Sequence, residues 1–553
     1  MYCIDMTGAQ TILTYSEVFQ EKGPDLVNEI GQLNMHKAIS IIHELICVRN
    51  KKRKIAKVAG QIIELPFETV LKKEMCNIVP KTPEEMISNP LLAKDKHIIS
   101  AQMLLILLKK IIIYGDYDTL ECTDYQISIE DYITIIKLQL AIAEEINDKQ
   151  EIEMDTDHFL YSTYHFNYQR NVANEFMRMY YMMEIISRDK TNFKADVQNE
   201  YKDYYNAFTM KYRFTPTEYS AILFPQLAKY YSDLEGITYR TSWFDVESTY
   251  GISSLNEKEH DVLDVLSKPI NEYKEWAKRT ENAEWDFSEF LAFPFFKDTD
   301  NNFISLSDIT LNNAFFENLF WLIRGCYPKT ESRAMDFFGR LYEKYVQDIT
   351  ESASKNEYTY IDEFMFDDSG KKKRSSDAYV RKDEELLIVE AKGFSVLIDS
   401  MTKNESVEKN NKKLFVDPIL QADVCLAAIM DSVDVFDGVK KAYIISVTMD
   451  NINAVPNYYN SIHRDIIENK HASQTECFFN LNIEEYEMLI GLMERGEDIF
   501  NILNEYYSNP CLKPFGAFMQ DEYGDIGMTA FMKKYYDDAS NNMANLICNT
   551  LGA

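Results

Sequence analysis

Glycine and proline are scarce in this chain, which has only 18 Gly and 14 Pro among 553 residues. Because strands joined by tight turns need these residues, their scarcity argues against a loop-rich all-β protein and favours long helices. Aromatic residues are plentiful, with 36 Tyr and 32 Phe, so large apolar cores can form. The length itself predicts about two to four domains rather than one core.

Several functional signatures are also missing from the sequence. The nine cysteines include no CxxC pair, which argues against a zinc site and against a disulfide framework. Reduced thiols in a cytoplasmic protein are the expectation. The chain has no Walker A, GxGxxG or GxSxG motif, so ATPase, dinucleotide-binding and serine-hydrolase functions lack support.

Long apolar runs are absent as well. The most apolar stretch, MLLILLKKIIIYG (103–115), is interrupted by Lys109 and Lys110 and is too short to span a membrane. It predicts a buried helix. The first ten residues lack a basic stretch followed by an apolar core, so they do not resemble a signal peptide. We therefore expect no membrane partner.

Positive charge is in short supply, with 58 Lys and Arg against 89 Asp and Glu, a formal net charge of −31. A surface this acidic repels nucleic acid as a whole. Any contact with DNA or RNA would therefore need a local basic patch.

Residues 1–290 predict a large all-α region. Apolar residues recur at helical spacing in 35–50, 127–148 and 171–189, and such stripes usually form a core. The basic cluster RNKKRK (49–54) is interpreted as a solvated helix end. A region of this kind could bind a protein partner, form a homo-oligomer or sense a signal.

From residue 291 to 482 the pattern changes to alternating helices and strands. FPFFKDTDNNFISLS (293–307) predicts two short strands around a polar turn. The predicted order in this region is helices, three strands, a helix and a strand. This order predicts an α/β core with helices packed on a mixed sheet. A helical extension is predicted over 483–553. The predicted helices are 309–325, 335–350 and 416–433, and the predicted strands are 357–366, 376–380, 386–392, 441–449 and 476–482.

The stretch LLIVEAKGF (386–394) combines an apolar strand with charged residues. Because strand side chains alternate between faces, Glu390 and Lys392 point the same way. The preceding residues are apolar on both faces, which predicts a central, buried strand. An acid and a base in such a place are costly unless they are paired or bind something.

Asp377 lies thirteen residues before Glu390, across one tight connection, so a hairpin could bring the two carboxylates together. Two close carboxylates repel each other unless a cation lies between them. A hard divalent ion such as Mg²⁺ prefers oxygen ligands. Lys392 could then hold or help deprotonate an attacking water and offset charge on a phosphate.

This arrangement resembles the PD-(D/E)xK nuclease superfamily, which has the restriction-endonuclease-like fold. The resemblance covers roughly residues 330–482. It implies that Asp377, Glu390 and the backbone carbonyl of Ala391 hold Mg²⁺ or Mn²⁺, and that Lys392 is catalytic. It further implies supporting roles for Glu343 in GRLYEKYV (339–346) and for Gln421 in the following helix.

The sequence departs from the family pattern at two places. Ser376 stands where the motif has its proline, and Cys425 follows Gln421 where some relatives have tyrosine. Other interpretations stay open: Asp377 could cap a strand end, Glu390 and Lys392 could form an exposed ion pair on an edge strand, and Glu343 could be a surface acid.

The segment 371–413 has eleven Lys and Arg against eight Asp and Glu, a balance of +3 in a strongly acidic chain. Its basic run, Lys371, Lys372, Lys373 and Arg374, is a candidate contact for phosphates, which dominate nucleic-acid affinity. The alternative is a solvated loop.

These observations predict a metal-dependent nuclease, with DNA the substrate that the resemblance implies. The helical N-terminal region suggests a sensor or partner module, and such architectures suggest bacterial anti-phage defence as a hypothesis. Two alternatives remain open at this point: a non-catalytic scaffold with a nuclease fold, and an RNase.

Overall fold

The structure is a computed structural model of the chain. It describes residues 11–49, 52–58, 61–78, 89–93, 96–121, 125–150, 171–231, 243–246, 255–368, 370–393, 408–409, 411–430, 433–449, 460–508 and 513–548.

Helices make up most of the described chain. They are α1 (Tyr15–Phe19), α2 (Leu26–Gly31), α3 (Met35–Val48), α4 (Phe67–Ile78), α5 (Ala101–Tyr114), α6 (Ile129–Gln150), α7 (Val172–Tyr180), α8 (Tyr204–Tyr212), α9 (Pro216–Tyr231), α10 (Asn256–Val265), α11 (Ile270–Arg279), α12 (Ser288–Ala292), α13 (Asp308–Gly325), α14 (Asp336–Ala353), α15 (Asp417–Ile429), α16 (Asn460–Asn469), α17 (Ile483–Arg495), α18 (Ile499–Ser508), α19 (Phe515–Tyr523) and α20 (Ala530–Cys548).

The strands are shorter and lie mostly in the second half of the chain. They are β1 (Thr11–Ile12), β2 (Lys52–Val58), β3 (Gln61–Pro66), β4 (Lys96–His97), β5 (Ser267–Pro269), β6 (Phe295–Lys297), β7 (Phe303–Ser305), β8 (Thr359–Asp362), β9 (Met365–Asp368), β10 (Lys371–Arg374), β11 (Ala378–Lys382), β12 (Glu385–Lys392), β13 (Lys441–Thr448) and β14 (Thr475–Asn482).

The chain divides into two compact units, and their boundaries differ from the predicted ones. One, which we call the helical unit, contains the described residues of 11–150, 212–320 and 543–548. The other, the sheet unit, contains those of 171–211 and 321–542. The predicted divisions at 290 and 482 therefore do not separate these units, because each unit collects segments that are distant in sequence.

The helical unit contains the buried helix predicted from the apolar run. In α5 nearly every side chain is buried, including Lys109. The ammonium group of Lys109 donates to the carbonyl oxygens of Thr280, Ala283 and Asp286 at 2.8, 3.0 and 3.1 Å. Burial lowers the pKa of Lys109 to about 8. The lysine that interrupts the apolar run thus closes the turn after α11.

The sequence predicted a large all-α region, but the helical unit also contains strands. Its small sheets pair β1 with β4, β2 with β3, and β5 with β6 and β7. The hairpin of β2 and β3 includes Lys52, Arg53 and Lys54, half of the basic cluster interpreted as a helix end, and its Ile and Val residues favour strands. None of the described helices is both long and apolar enough to cross a membrane.

The sheet unit is built on a five-stranded mixed sheet in the order β14, β13, β12, β11, β8. The strands β11 and β12 pair antiparallel, as do β11 and β8, whereas β12, β13 and β14 run parallel. The helices α14 and α15 both pack against β12. The predicted α/β core with a mixed sheet is therefore confirmed, and β12 is its central strand.

One predicted strand, 357–366, is in fact two. The strand β8 ends at Asp362, whose carboxylate accepts the next backbone N–H at 2.8 Å and so competes with the sheet ladder. The second strand, β9, pairs with β10 in a separate hairpin. The basic run at 371–374, predicted to be a loop, is therefore a strand.

A buried ionic network attaches residues 171–211 to the sheet unit. Arg178 of α7 forms an ion pair with Glu487 of α17 at 2.6 Å. Glu487 also accepts from the Tyr345 hydroxyl of α14 at 2.6 Å and from the Asn174 amide at 3.0 Å. Three helices thus share one buried carboxylate, which explains why the C-terminal helix α17 belongs to the sheet unit rather than to a separate extension.

We predict that Arg178→Ala destabilises the sheet unit by about 3–5 kcal/mol, because the buried Glu487 carboxyl would lose the cation that offsets its burial. The measurement is the free energy of unfolding in urea. The control is Lys513→Ala, which removes an exposed ion pair with Asp521 and should cost less than about 1 kcal/mol. Equal effects of the two variants would contradict the network's role.

Candidate active site

The register of β11 and β12 brings the two predicted carboxylates together. Ala378 pairs with Val389, so that Asp377, one residue before β11, comes beside Glu390. The Asp377 Oδ2 atom accepts a hydrogen bond from the Ala391 backbone N–H at 2.7 Å. Both carboxylates are buried, with exposed fractions of 7% for Asp377 and 2% for Glu390.

Lys392 completes this group from the same strand. Its Nζ atom lies 3.2 Å from the Glu390 Oε2 atom, as expected for strand neighbours two residues apart on one face. The apolar run 386–389 is fully buried, and β12 has partners on both sides. The alternative of an exposed ion pair on an edge strand is therefore excluded.

The electrostatics of the group are dominated by burial and by like charges. Burial raises the pKa of Asp377 well above its usual range, and the nearby Glu343 and Glu390 carboxylates raise it further. Burial also raises the pKa of Glu390, although Lys392 opposes the shift. Burial lowers the pKa of Lys392, but attraction to Glu390 and Asp377 outweighs it, so its net shift is upward. The lysine is therefore a cation at neutral pH.

The helix α14 supplies two further side chains to this region. Glu343 is close enough to raise the pKa of Asp377, and its Oε2 atom accepts from Arg340 at 2.6 Å. One turn later, the Gln347 side-chain amide donates to the Asp377 carbonyl oxygen at 2.9 Å. Sequence analysis missed Gln347, although its spacing of four residues from Glu343 places both on one helix face.

The glycine that follows the charged residues sets how closely α14 approaches β12. A Cβ atom on Gly393 would lie 2.9 Å from the Tyr342 Cβ atom and 3.2 Å from the Gly339 Cα atom. Contacts of that length are too short for carbon atoms, so only glycine fits here without movement of the helix. This close contact holds the face of α14 that presents Glu343 and Gln347.

The predicted role of Gln421 has no counterpart in the described contacts. Gln421 lies on the exposed side of α15, and no described hydrogen bond joins it to the carboxylates. The residue that α15 buries toward the site is Cys425, whose Sγ atom lies 3.8 Å from the Tyr379 hydroxyl. Gln421 and Cys425 are four residues apart, slightly more than one helical turn. Which of them faces the site therefore depends on how the helix is rotated about its axis.

The basic run forms β10, and its members differ in what they contact. Lys371 and Lys372 are exposed, and no described ion pair involves them. Lys373 pairs with Asp368 at 2.5 Å. Arg374 is half-buried and lies between two carboxylates, 2.5 Å from Asp196 and 3.4 Å from Glu363.

A cleft of about 290 Å³ opens beside α14. Glu343 and Gln347 form part of its wall, and the Gln347 amide also donates to the Asp377 carbonyl oxygen. Phe193 and Arg374 line the cleft as well. Acidic and basic side chains line the cleft in nearly equal number, unlike the strongly acidic chain as a whole.

Among the described residues, no group of three or more His, Cys, Asp or Glu side chains is arranged to hold a metal ion. The acidic oxygens that come together are those of Asp377 and Glu390, with Glu343 acting on them over a longer distance. Any metal here would rely on two carboxylates, a backbone carbonyl and water.

We predict that Gly393→Ala destabilises the sheet unit by about 1–3 kcal/mol, because its methyl group would push α14 away from β12. The free energy of unfolding in urea measures this. The matched control is Gly339→Ala in α14, whose new Cβ atom would meet only the Glu343 carboxylate at 4.0 Å. That change should be neutral or stabilise the helix by up to about 1 kcal/mol. A well-tolerated Gly393→Ala would refute the close contact.

No known protein family, curated protein or solved structure matches this chain in the comparisons, so its function rests on the site alone.

Proposed function

We propose that this chain is a metal-dependent nuclease that hydrolyses phosphodiester bonds, with DNA as its substrate. The observation that carries the proposal is the meeting of Asp377, Glu390 and Lys392 at the end of a buried central strand. These groups were predicted from the sequence as a nuclease motif, and titratable groups with pKa values perturbed by burial and by nearby charges are candidates for a functional site.

The order of elements supports the same proposal. The helix α14 is followed by β8, β11 and β12, then by α15 and β13. This is the helix, three strands, helix, strand order on which the resemblance to the restriction-endonuclease-like fold was based. The hairpin β9–β10 is inserted between the first and second of these strands. We therefore also propose that the sheet unit has a restriction-endonuclease-like core.

The chemistry of the donor atoms suits Mg²⁺ or Mn²⁺. The Asp377 and Glu390 carboxylates and the Ala391 carbonyl would hold the ion, and all three offer hard oxygen atoms. Negative charge at Asp377 is opposed by burial and by its acidic neighbours, and a cation would relieve both effects. When bound, such an ion supplies a Lewis acid for the phosphate and an activated water.

The residues of the chain itself then have distinct tasks. In hydrolysis, a water oxygen adds to phosphorus, the bond to the leaving sugar oxygen breaks, and that oxygen takes a proton. Lys392, a cation held by Glu390, would orient the water and offset charge on the phosphate. Gln347 and Glu343 are positioning residues, since they act through Asp377 and the face of α14.

The alternative of a non-catalytic scaffold has a specific observation against it. A scaffold has no need of two buried carboxylates with raised pKa beside a lysine, since such a group destabilises the fold without a function. All three side chains are present and brought together here.

We predict that the protein cleaves nucleic acid in Mg²⁺ or Mn²⁺ but not in EDTA. Plasmid, linear duplex, single-stranded DNA and RNA should be tested side by side. Lys392→Ala and Asp377→Ala should each lower the cleavage rate at least about a hundredfold, because each removes charge that acts on the transition state.

The matched control for these variants is Lys440→Ala, which breaks an exposed ion pair with Glu384 near the far end of the sheet. It should cleave at the wild-type rate. Cleavage of RNA but not DNA would identify RNA as the substrate and leave the proposed mechanism unchanged. Metal-independent cleavage, or equal rates in all variants, would refute the proposed site.

We also predict that metal affinity rises with pH. Because burial and acidic neighbours raise the pKa of Asp377, protons compete with the metal ion for this carboxylate more strongly as the pH falls. The Mn²⁺ affinity should increase by up to about tenfold per pH unit while one proton is released. Calorimetry in two buffers of different ionisation enthalpy measures the release, and Asp377→Asn should abolish binding. An affinity independent of pH would argue against Asp377 as a ligand.

A further inference from the structure

Two arginines in the cleft beside the candidate site each hold a pair of carboxylates. Arg340 of α14 lies 2.6 Å from Glu343 and 3.3 Å from Glu200. Arg374 at the end of β10 makes the equivalent pair with Glu363 and Asp196, as described above. In each case one carboxylate comes from α14 or from the residue after β8, and the other from the segment 189–202, which we call the covering segment.

The two kinds of carboxylate differ in exposure. The side chains from the covering segment are about half exposed, 51% for Asp196 and 44% for Glu200, whereas Glu363 is only 9% exposed. Ion pairs open to water contribute little to stability, because water and salt compete for both charges. Asp196 and Glu200 are therefore the partners that another anion can replace.

The backbone of the covering segment is held more firmly than these two side chains. The ring of Phe193 packs on Phe337 of α14 with 4.9 Å between centroids, and Tyr201 packs on the same ring at 5.3 Å. Val197, between them, is buried. Exchange of a partner thus requires only that Asp196 and Glu200 rotate away, while the segment stays in place.

A phosphate group offers an arginine the same pair of oxygen atoms as a carboxylate does, in a geometry that suits its two parallel N–H donors. Both arginines line the cleft that is also lined by Glu343 and Gln347, the two residues of α14 beside the candidate site. The exposed Lys372 lies two residues before Arg374 on the same face of β10.

We propose that Arg340 and Arg374 bind backbone phosphates of the nucleic-acid substrate, and that Asp196 and Glu200 occupy these arginines in the unbound protein as phosphate mimics. This inference rests on the proposed function and adds to it a substrate-binding surface outside the carboxylate group. It also explains how a chain with a net charge of −31 could provide two arginines for phosphate binding beside its site.

The test is a double-mutant cycle on the pair of Asp196 and Arg374, neither of which belongs to the carboxylate group. Binding of a fluorescein-labelled single-stranded oligodeoxynucleotide is followed by anisotropy in EDTA, so that no cleavage is needed. Asp196→Asn should tighten binding about two- to fivefold, because the arginine no longer has to give up a partner. Arg374→Gln should weaken binding and cancel the gain from Asp196→Asn.

The control for the change in net charge is Glu384→Gln, which removes an exposed, ion-paired carboxylate near the far end of the sheet. Glu200→Gln tests the second pair independently. The inference is overturned if Glu384→Gln matches Asp196→Asn, if the gain persists in Arg374→Gln, or if no variant binds the oligonucleotide. Because cleavage is measured separately in metal, a protein that binds as expected but does not cleave would refute the nuclease proposal alone.

Discussion

The antiparallel register between β11 and β12 is the constraint on which the candidate site depends. It places Asp377 opposite Glu390 and lets the Ala391 N–H donate to the Asp377 carboxylate. A slip of one residue would turn Glu390 and Lys392 to the other face and separate all three groups. The apolar residues of β12 before the charged pair are buried on both faces, so the strand lies in the core of the sheet unit.

The arrangement around this pair of strands serves to hold α14 in one position. Gly393 allows the helix to approach β12 closely, and Gln347 ties it to the Asp377 carbonyl. On its other side, Tyr345 joins the helix to the buried carboxylate of Glu487, which also binds Arg178. Segments from three distant parts of the sequence are thus needed to fix one face of one helix.

The charged side chains around the site are also arranged in relation to one another. The carboxylates of the candidate site are buried beside Glu343; burial is the main cause of the raised pKa of both, and like charge adds to it, effects that a cation would oppose. The arginines nearby are partly exposed and are balanced by carboxylates. Under the proposed function, local cations with replaceable partners would let an acidic protein bind a polyanion.

The sequence alone predicted α14, β8, β11, β12, α15 and β13 in their order, the central position of β12 and the meeting of Asp377, Glu390 and Lys392. These follow from local patterns: apolar runs of strand length, side-chain alternation and one tight connection. It failed where the answer depended on an interrupted pattern, as at Asp362, where a side-chain hydrogen bond ends β8.

Tertiary structure decided the rest. The boundaries of the two units, the contact of Gln347 with Asp377, the burial of Cys425 rather than Gln421 toward the site, and the pairing of Arg374 with Asp196 all join residues far apart in sequence. No local pattern encodes such contacts, because they depend on how helices rotate and pack once the sheet has formed.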